Sequence, residues 1–178
     1  QVLFPKPEEG TENVAGTEYV KWSYPYFDLY LKDGAVYFWK MKKTIVDNAL
    51  EKAAAAYKKA YELEPKDAEA KVAEGFKKIA DAYKQDADKL YVMREFPTAD
   101  AFAAAYDVQN QAPLNKIDTV CCFNAGYLYT LTGKFDKGVK YLNDAIANGY
   151  ESNGEAYYYL YHCYRAQKDF EKAKEALV

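Results

Sequence analysis

The segment TVCCFNAGYLYTLTGKFDKGVKYLNDAIANG at residues 119–149 decides the fold, because GEAYYYLYHCYRAQKDFEKAKEALV at 154–178 repeats its pattern. A shift of 35 positions brings the two segments into register. The equivalent positions are Cys122 and Tyr157, Ala125 and Leu160, Tyr129 and Tyr164, Phe135 and Phe170, and Leu142 and Leu177. A fixed period of this length predicts helix pairs that stack side by side, each covering the apolar side of the next.

Small residues stand where two helices of one pair would have to approach closely. Gly126 and Ala145 occupy such positions, and the aromatic residues around them are large enough to fill the remaining space. We therefore expect Gly126 to lie at the contact between the two helices of residues 119–149.

These residues resemble the tetratricopeptide repeat (TPR), a helix–turn–helix unit of 34 residues. The resemblance covers residues 119–178, and Ala53, Tyr57, Ala60 and Pro65 match half of a further unit. It implies an all-α fold, an α-solenoid of TPR-like helix–turn–helix repeats. The implied organisation is an extended N-terminal arm (1–16), an aromatic-rich irregular segment or helix (17–47), helix B of a degenerate first repeat (48–67), a long irregular repeat (68–118), a repeat (119–153) and a truncated repeat (154–178).

Residues 17–41 are dense in tyrosine, phenylalanine and tryptophan, and they admit two interpretations. Asp33-Gly34 between two aromatic runs is a signal for a β-hairpin. Carrying the repeat register back from Pro65 instead places a helix at about 35–46. We favour helix here, with a small β-hairpin within 24–41 as the alternative.

Helices are also expected at 48–63, which is rich in alanine, and at 68–92 and 98–110. Pro65 ends the first of them, and Pro97 and Thr98 begin the third.

Composition and charge exclude several classes of function. The net charge is −3 with both signs mixed along the chain, so no basic stripe indicates nucleic-acid binding. No apolar run approaches the ~20 residues of a membrane span. The single histidine, His162, leaves little room for a catalytic Ser-His-acid set, and we expect no enzyme activity and no cofactor.

The three cysteines are predicted to be buried apolar thiols. Cys121 and Cys122 are adjacent, so a helix points them in different directions, unlike the spaced ligands of a zinc site. We therefore predict no metal site.

The TPR resemblance also implies a binding surface, since the first helix of each unit lines the concave side of the stack. The residues that this places on the concave face are Phe123, Asn124, Tyr127, Leu131, Tyr158, Tyr159, His162 and Arg165. Tyrosine and arginine are the residue types that anchor protein interfaces. The expected function is a scaffold that binds a peptide or a partner protein on this aromatic face.

Two other functions remain open. The chain is alternatively a structural subunit of a permanent cell-envelope assembly, in a larger complex or a homo-oligomer. A third possibility is a small-molecule sensor with His162 and Arg165 as polar anchors.

Two features of the sequence bear on where in the cell the protein is found. The chain begins at Gln1 without a methionine, which indicates a processed product or a fragment. Its repeats, with Asn-Ala-Gly at 124–126, also resemble those of exported TPR proteins of the Bacteroides group. Periplasm or cell envelope is therefore expected, with the cytoplasm as the alternative.

Overall fold

The computed structural model describes residues 5–42, 46–95, 97–150, 152 and 154–177. Within these residues four strands come first and seven helices follow. The strands form one antiparallel sheet in which each strand pairs with the next one in sequence. The fold is therefore mixed, with an N-terminal sheet joined to a stack of helices.

The strands are β1 (Glu8–Val14), β2 (Thr17–Ser23), β3 (Phe27–Lys32) and β4 (Ala35–Met41). Two-residue turns join β1 to β2 and β3 to β4. Their central residues, Ala15-Gly16 and Asp33-Gly34, all have positive φ angles. This left-handed pair is the turn whose twist matches the twist of the flanking strands, so both hairpins are locally favourable.

The all-α class predicted from the sequence is wrong, and so is the helix favoured for residues 17–41, because β2, β3 and β4 occupy that segment. The alternative of a hairpin within 24–41 describes only β3 and β4. Residues 8–14 of the predicted arm form β1. The repeat register is a weak guide here, whereas aromatic residues favour the half-buried surface of a sheet.

The helices are α1 (Ala49–Leu63), α2 (Pro65–Val92), α3 (Thr98–Gln109), α4 (Thr119–Leu131), α5 (Phe135–Ala147), α6 (Glu155–Ala166) and α7 (Phe170–Glu175). Each helix packs against the next one in sequence, and α4 also packs against α6. Helices α5 and α7 begin 35 positions apart. No helix in the part of the chain that the structure describes combines the length and the apolarity needed to cross a bilayer.

The sheet is attached to the C-terminal end of α2. Tyr19, Tyr30 and Phe38 are buried on one face of the sheet, and the ring centroids of Tyr30 and Phe38 are 4.4 Å apart. Val92 and Met93 pack against these three rings. Aromatic burial therefore joins the sheet to the helical stack.

Helices α4 and α5 approach each other closely at Gly126. A Cβ atom on this glycine would lie 2.7 Å from Cγ of Leu142 and 2.9 Å from its backbone nitrogen. Leu142 itself is completely buried. The prediction that Gly126 lies at the contact between these helices is therefore confirmed.

Two tyrosine–aspartate hydrogen bonds tie α3 to the pair α4–α5. The Tyr129 hydroxyl donates to Asp100 over 2.6 Å, and the Tyr141 hydroxyl donates to Asp107 over 2.7 Å. Both tyrosine rings are buried, and their centroids lie 5.7 Å apart. The hydroxyls therefore keep hydrogen-bond partners although the rings are in the core.

The three cysteines are buried, as predicted, and all three are free, which the sequence leaves open. The Cys122 thiol donates to the carbonyl of Tyr141 over 3.1 Å, and the sulfur of Cys163 lies 3.0 Å from the Thr130 hydroxyl. Burial raises the pKa of Cys121 and of Cys122 to about 12. These thiols therefore stay protonated at neutral pH.

Asp118 caps the N-terminus of α4. Its carboxylate accepts the backbone N–H of Cys121 over 3.0 Å and pairs with the Lys84 ammonium over 2.5 Å, which links α2 to α4. Burial acts to raise the pKa of Asp118, but the bonds from Lys84 and from the Cys121 amide outweigh it and lower the pKa from 3.8 to about 2.

We expect Asp118→Asn to lower the free energy of unfolding at pH 7 by about 2 kcal/mol, the equivalent of this pKa shift. A depressed pKa stabilises the fold above the unfolded value of 3.8, and this contribution is lost as the pH falls towards 2. The difference between wild type and variant should therefore be full at pH 7 and almost absent at pH 2. Urea unfolding at both pH values measures it.

The matched control is Asp67→Asn, because Asp67 is exposed near the start of α2. This substitution should leave the unfolding free energy nearly unchanged at both pH values. A difference for Asp118→Asn that persists undiminished at pH 2 would contradict the assigned role of the carboxylate.

Candidate functional site

The eight residues predicted to bind a partner lie on two neighbouring helices. Phe123, Asn124, Tyr127 and Leu131 belong to α4, and Tyr158, Tyr159, His162 and Arg165 belong to α6. Because α4 packs directly against α6, the two sets belong to adjoining surfaces.

Six rings form a continuous row of contacts across α4 and α6, which we call the aromatic face. Its members are Phe123, Tyr127, Tyr150, Tyr158, Tyr159 and His162. Tyr127 on α4 meets Tyr159 on α6 with ring centroids 4.8 Å apart. Tyr158 lies 5.3 Å from Tyr159 and 4.4 Å from His162. These distances lie near the favourable range for aromatic pairs, so the rings support one another's positions.

Phe123 is the base of the aromatic face. It is only 7% exposed, and its ring stacks on Tyr127 at 6.1 Å and on Tyr150 at 4.3 Å. Tyr158, by contrast, is 54% exposed. The aromatic face therefore has a buried, packed side at Phe123 and an exposed tyrosine, Tyr158, that solvent or a partner can reach.

Tyr150 is the member that sequence reasoning missed. It follows Gly149, whose φ of 78° ends α5 in a left-handed conformation. The Tyr150 amide donates to Ala145 and the Gly149 amide to Ile146, which is the Schellman arrangement of a helix end. In this arrangement the residue after the glycine commonly makes an apolar contact, so the Asn-Gly-Tyr run at 148–150 is the signal that could have located Tyr150.

Tyr159 is partly covered by its neighbours. Burial raises the pKa of its hydroxyl, and the proximity of Tyr127 and Glu155 acts in the same direction. The phenol is therefore neutral at physiological pH and offers both a donor and an acceptor at the junction of α4 and α6.

Three predicted residues lie outside the ring contacts. Leu131 is 60% exposed at the C-terminal end of α4, and Arg165 is exposed in the last turn of α6. Asn124 lies beside Phe123, and among the described residues its side-chain amide forms no hydrogen bond within the chain. These three residues therefore share the helices of the aromatic face without belonging to its row of ring contacts.

The arrangement is suited to binding. Tyrosine ring faces offer apolar contact area, and their hydroxyls offer hydrogen bonds with few rotatable bonds to restrict.

In comparisons with known proteins, no family model matches the chain and no curated protein matches it.

Proposed function

We propose that this chain is a protein–protein interaction scaffold, which binds a peptide or a partner protein on the aromatic face of a TPR-like helical stack. The observation that carries the proposal is the unbroken row of ring contacts from α4 to α6, with Tyr158 exposed at its outer edge. Tyr158 is the exposed member and Tyr127, Tyr159 and His162 are half-buried, and tyrosine is a residue type enriched at protein interfaces.

The aromatic face meets the physical requirements of an interface hot spot. Binding energy at protein interfaces concentrates in a few aromatic and arginine side chains whose positions are set before the partner arrives. Phe123, which is itself stacked on Tyr150, contacts both Tyr127 and Tyr159, so these two rings lose little side-chain freedom on binding. Arg165, in the last turn of α6, adds a cation for the polar rim of the interface.

The resemblance to the tetratricopeptide repeat supports the same proposal. The helices α4, α5, α6 and α7 occupy the segments in which that resemblance was found, and α4 and α6 are the first helices of the two pairs. In TPR proteins the first helices line the concave side, and the aromatic face consists largely of residues of α4 and α6.

A pull-down from native lysate identifies the partner, and calorimetry with the purified partner then tests the face. We expect Tyr158→Ala combined with Tyr159→Ala to weaken binding at least tenfold, because each removes an aromatic contact worth about 1 kcal/mol or more. Circular dichroism and the melting temperature report whether the variant keeps its fold.

The matched control is Tyr157→Ala. Tyr157 is a neighbouring tyrosine of α6 that is 47% exposed and is not part of the aromatic face. Its loss should leave the dissociation constant unchanged. Equal binding by wild type and by the double variant would place the partner elsewhere.

One observation favours the second candidate, a structural subunit of a permanent assembly. β4 is an edge strand, and Val36, Tyr37, Trp39 and Met41 are all exposed along it. An edge strand with apolar side chains is a template for pairing with another chain. Size-exclusion chromatography with light scattering separates the two candidates, since the scaffold is expected as a monomer and the subunit as a stable assembly.

A further inference from the structure

A cleft of about 590 Å³ lies where the sheet meets the helical stack. Tyr19 and Tyr37 line it from the sheet, Tyr91 from the end of α2, and Tyr127 and Leu131 from α4. Thr98 and Ala99 at the start of α3 line it as well, so four separate parts of the chain form one open cleft. Its volume falls within the ~300–1,000 Å³ typical of sites for small organic ligands, which often lie between structural units.

One cation stands among these mostly apolar groups. Arg94 lines the cleft, and its guanidinium is in no ion pair with any carboxylate among the described residues. Glu95 also lines the cleft, but its carboxylate lies 4.0 Å from the ammonium of Lys40. Arg94 therefore contributes a positive charge that the surrounding protein does not directly neutralise.

The backbone at Arg94 is unusual for this residue type. The Arg94 amide donates to Tyr91 and the Glu95 amide to Leu90, so Arg94 occupies the left-handed position that ends α2, with a φ of 54°. Glycine is the usual residue at this position, because a side chain disfavours the left-handed conformation. This turn ends α2 beside the cleft, which is how the Arg94 side chain comes to line it.

We propose that the cleft binds a small amphipathic organic anion. Its flat apolar body would lie among the rings of Tyr19, Tyr37, Tyr91 and Tyr127, and its carboxylate or sulfonate would pair with Arg94. The planar guanidinium presents parallel N–H donors to such an anion, and Arg94 is exposed, so an anion can reach it from solvent. This role is distinct from the binding of a protein partner on the aromatic face, although Tyr127 borders both sites.

Two dyes that share one aromatic body and differ by a single sulfonate group test the proposal. 1-Anilinonaphthalene-8-sulfonate has an aromatic body and one sulfonate, and N-phenyl-1-naphthylamine has the same body without it. Fluorescence titration of the wild-type protein should show one bound sulfonate dye per chain. We expect Arg94→Gln to weaken binding of the sulfonate dye at least tenfold, and to leave binding of the neutral dye unchanged.

Three further variants make the assignment specific. Arg94→Lys keeps the charge but loses the parallel donors, so it should bind the sulfonate dye less tightly than the wild type and more tightly than Arg94→Gln does. Tyr91→Ala removes an exposed wall of the cleft and should weaken both dyes. Arg165→Gln removes an exposed arginine outside the cleft and should affect neither. The proposal is overturned if the wild type does not bind the sulfonate dye, or if Arg94→Gln binds it as well as the wild type does.

Discussion

Replacing Leu142 with alanine is expected to lower the free energy of unfolding by about 2–5 kcal/mol, the range for removing a buried leucine side chain. Leu142 is completely buried in α5, and its side chain packs against the backbone of α4 at Gly126. The loss has two parts, the lost burial of apolar atoms and the cavity that the rigid helix pair leaves open. Urea unfolding followed by circular dichroism measures it.

Leu63→Ala is the matched control for this prediction. Leu63 is the last residue of α1 and is 72% exposed, so the same chemical change removes little buried surface. It should change stability by less than about 0.5 kcal/mol, as is usual for surface substitutions. If Leu63→Ala and Leu142→Ala were equally destabilising, the core of the helical stack would not lie at α4–α5.

Gly126→Val is expected to destabilise the protein by about 1–3 kcal/mol, from overpacking rather than from a cavity. Even the first added carbon would lie 2.7 Å from Cγ of Leu142 and 2.9 Å from its backbone nitrogen. The side chain of Leu142 has some freedom to rotate away, but the backbone nitrogen moves only if α5 shifts. An unchanged melting temperature would show that α4 and α5 are not in contact at Gly126.

The stability effects of substitutions at Gly126 and Leu142 are also expected to be coupled, and a double-mutant cycle can measure this coupling. Gly126→Ala alone places a methyl group against Leu142, whereas in the Leu142→Ala background the nearest side-chain atoms are gone. The combined variant should therefore be less destabilised than the sum of the single variants, by about 0.5–3 kcal/mol. Strict additivity would indicate that the side chains do not meet.

The helical part of the fold was accessible from the sequence because its signals are local. The predicted helices at 48–63, 68–92 and 98–110 agree with α1, α2 and α3 to within three residues. Alanine content, the proline at position 65 and the turn residues around it act over a few positions of the chain. The contact at Gly126 was likewise predictable, since a glycine within an apolar helical pattern marks close packing.

The N-terminal sheet was harder to predict from the sequence. Its strands are short, and they are rich in residues that occur both in helices and in strands. Asp33-Gly34 is a recognised hairpin signal, but the turn at Ala15-Gly16 is not, and only together do they define four strands. The register carried back from Pro65 favours a helix over the same residues. The physical preference of half-buried aromatic rings for a pleated surface decided otherwise.

The candidate site divides in the same way. The predicted rings of α4 and α6 form the aromatic face because helical spacing places them on adjoining surfaces. Tyr150 enters that face from a connection between helices, through a helix-end motif whose consequence depends on where α5 lies. No spacing rule for helical faces includes such a residue.

The sequence by itself determined where most helices lie and that the small residue Gly126 lies at the contact between α4 and α5. Helix formation and helix pairing depend on neighbours a few positions apart. Only the tertiary structure decided that the sheet sits at the end of α2 and that a cleft opens between them. Tyr19 and Tyr127 line that cleft from positions more than a hundred residues apart in the chain. The packing of Val92 and Met93 against the rings of the sheet sets the position of the sheet on α2, and a local pattern carries no information about that contact.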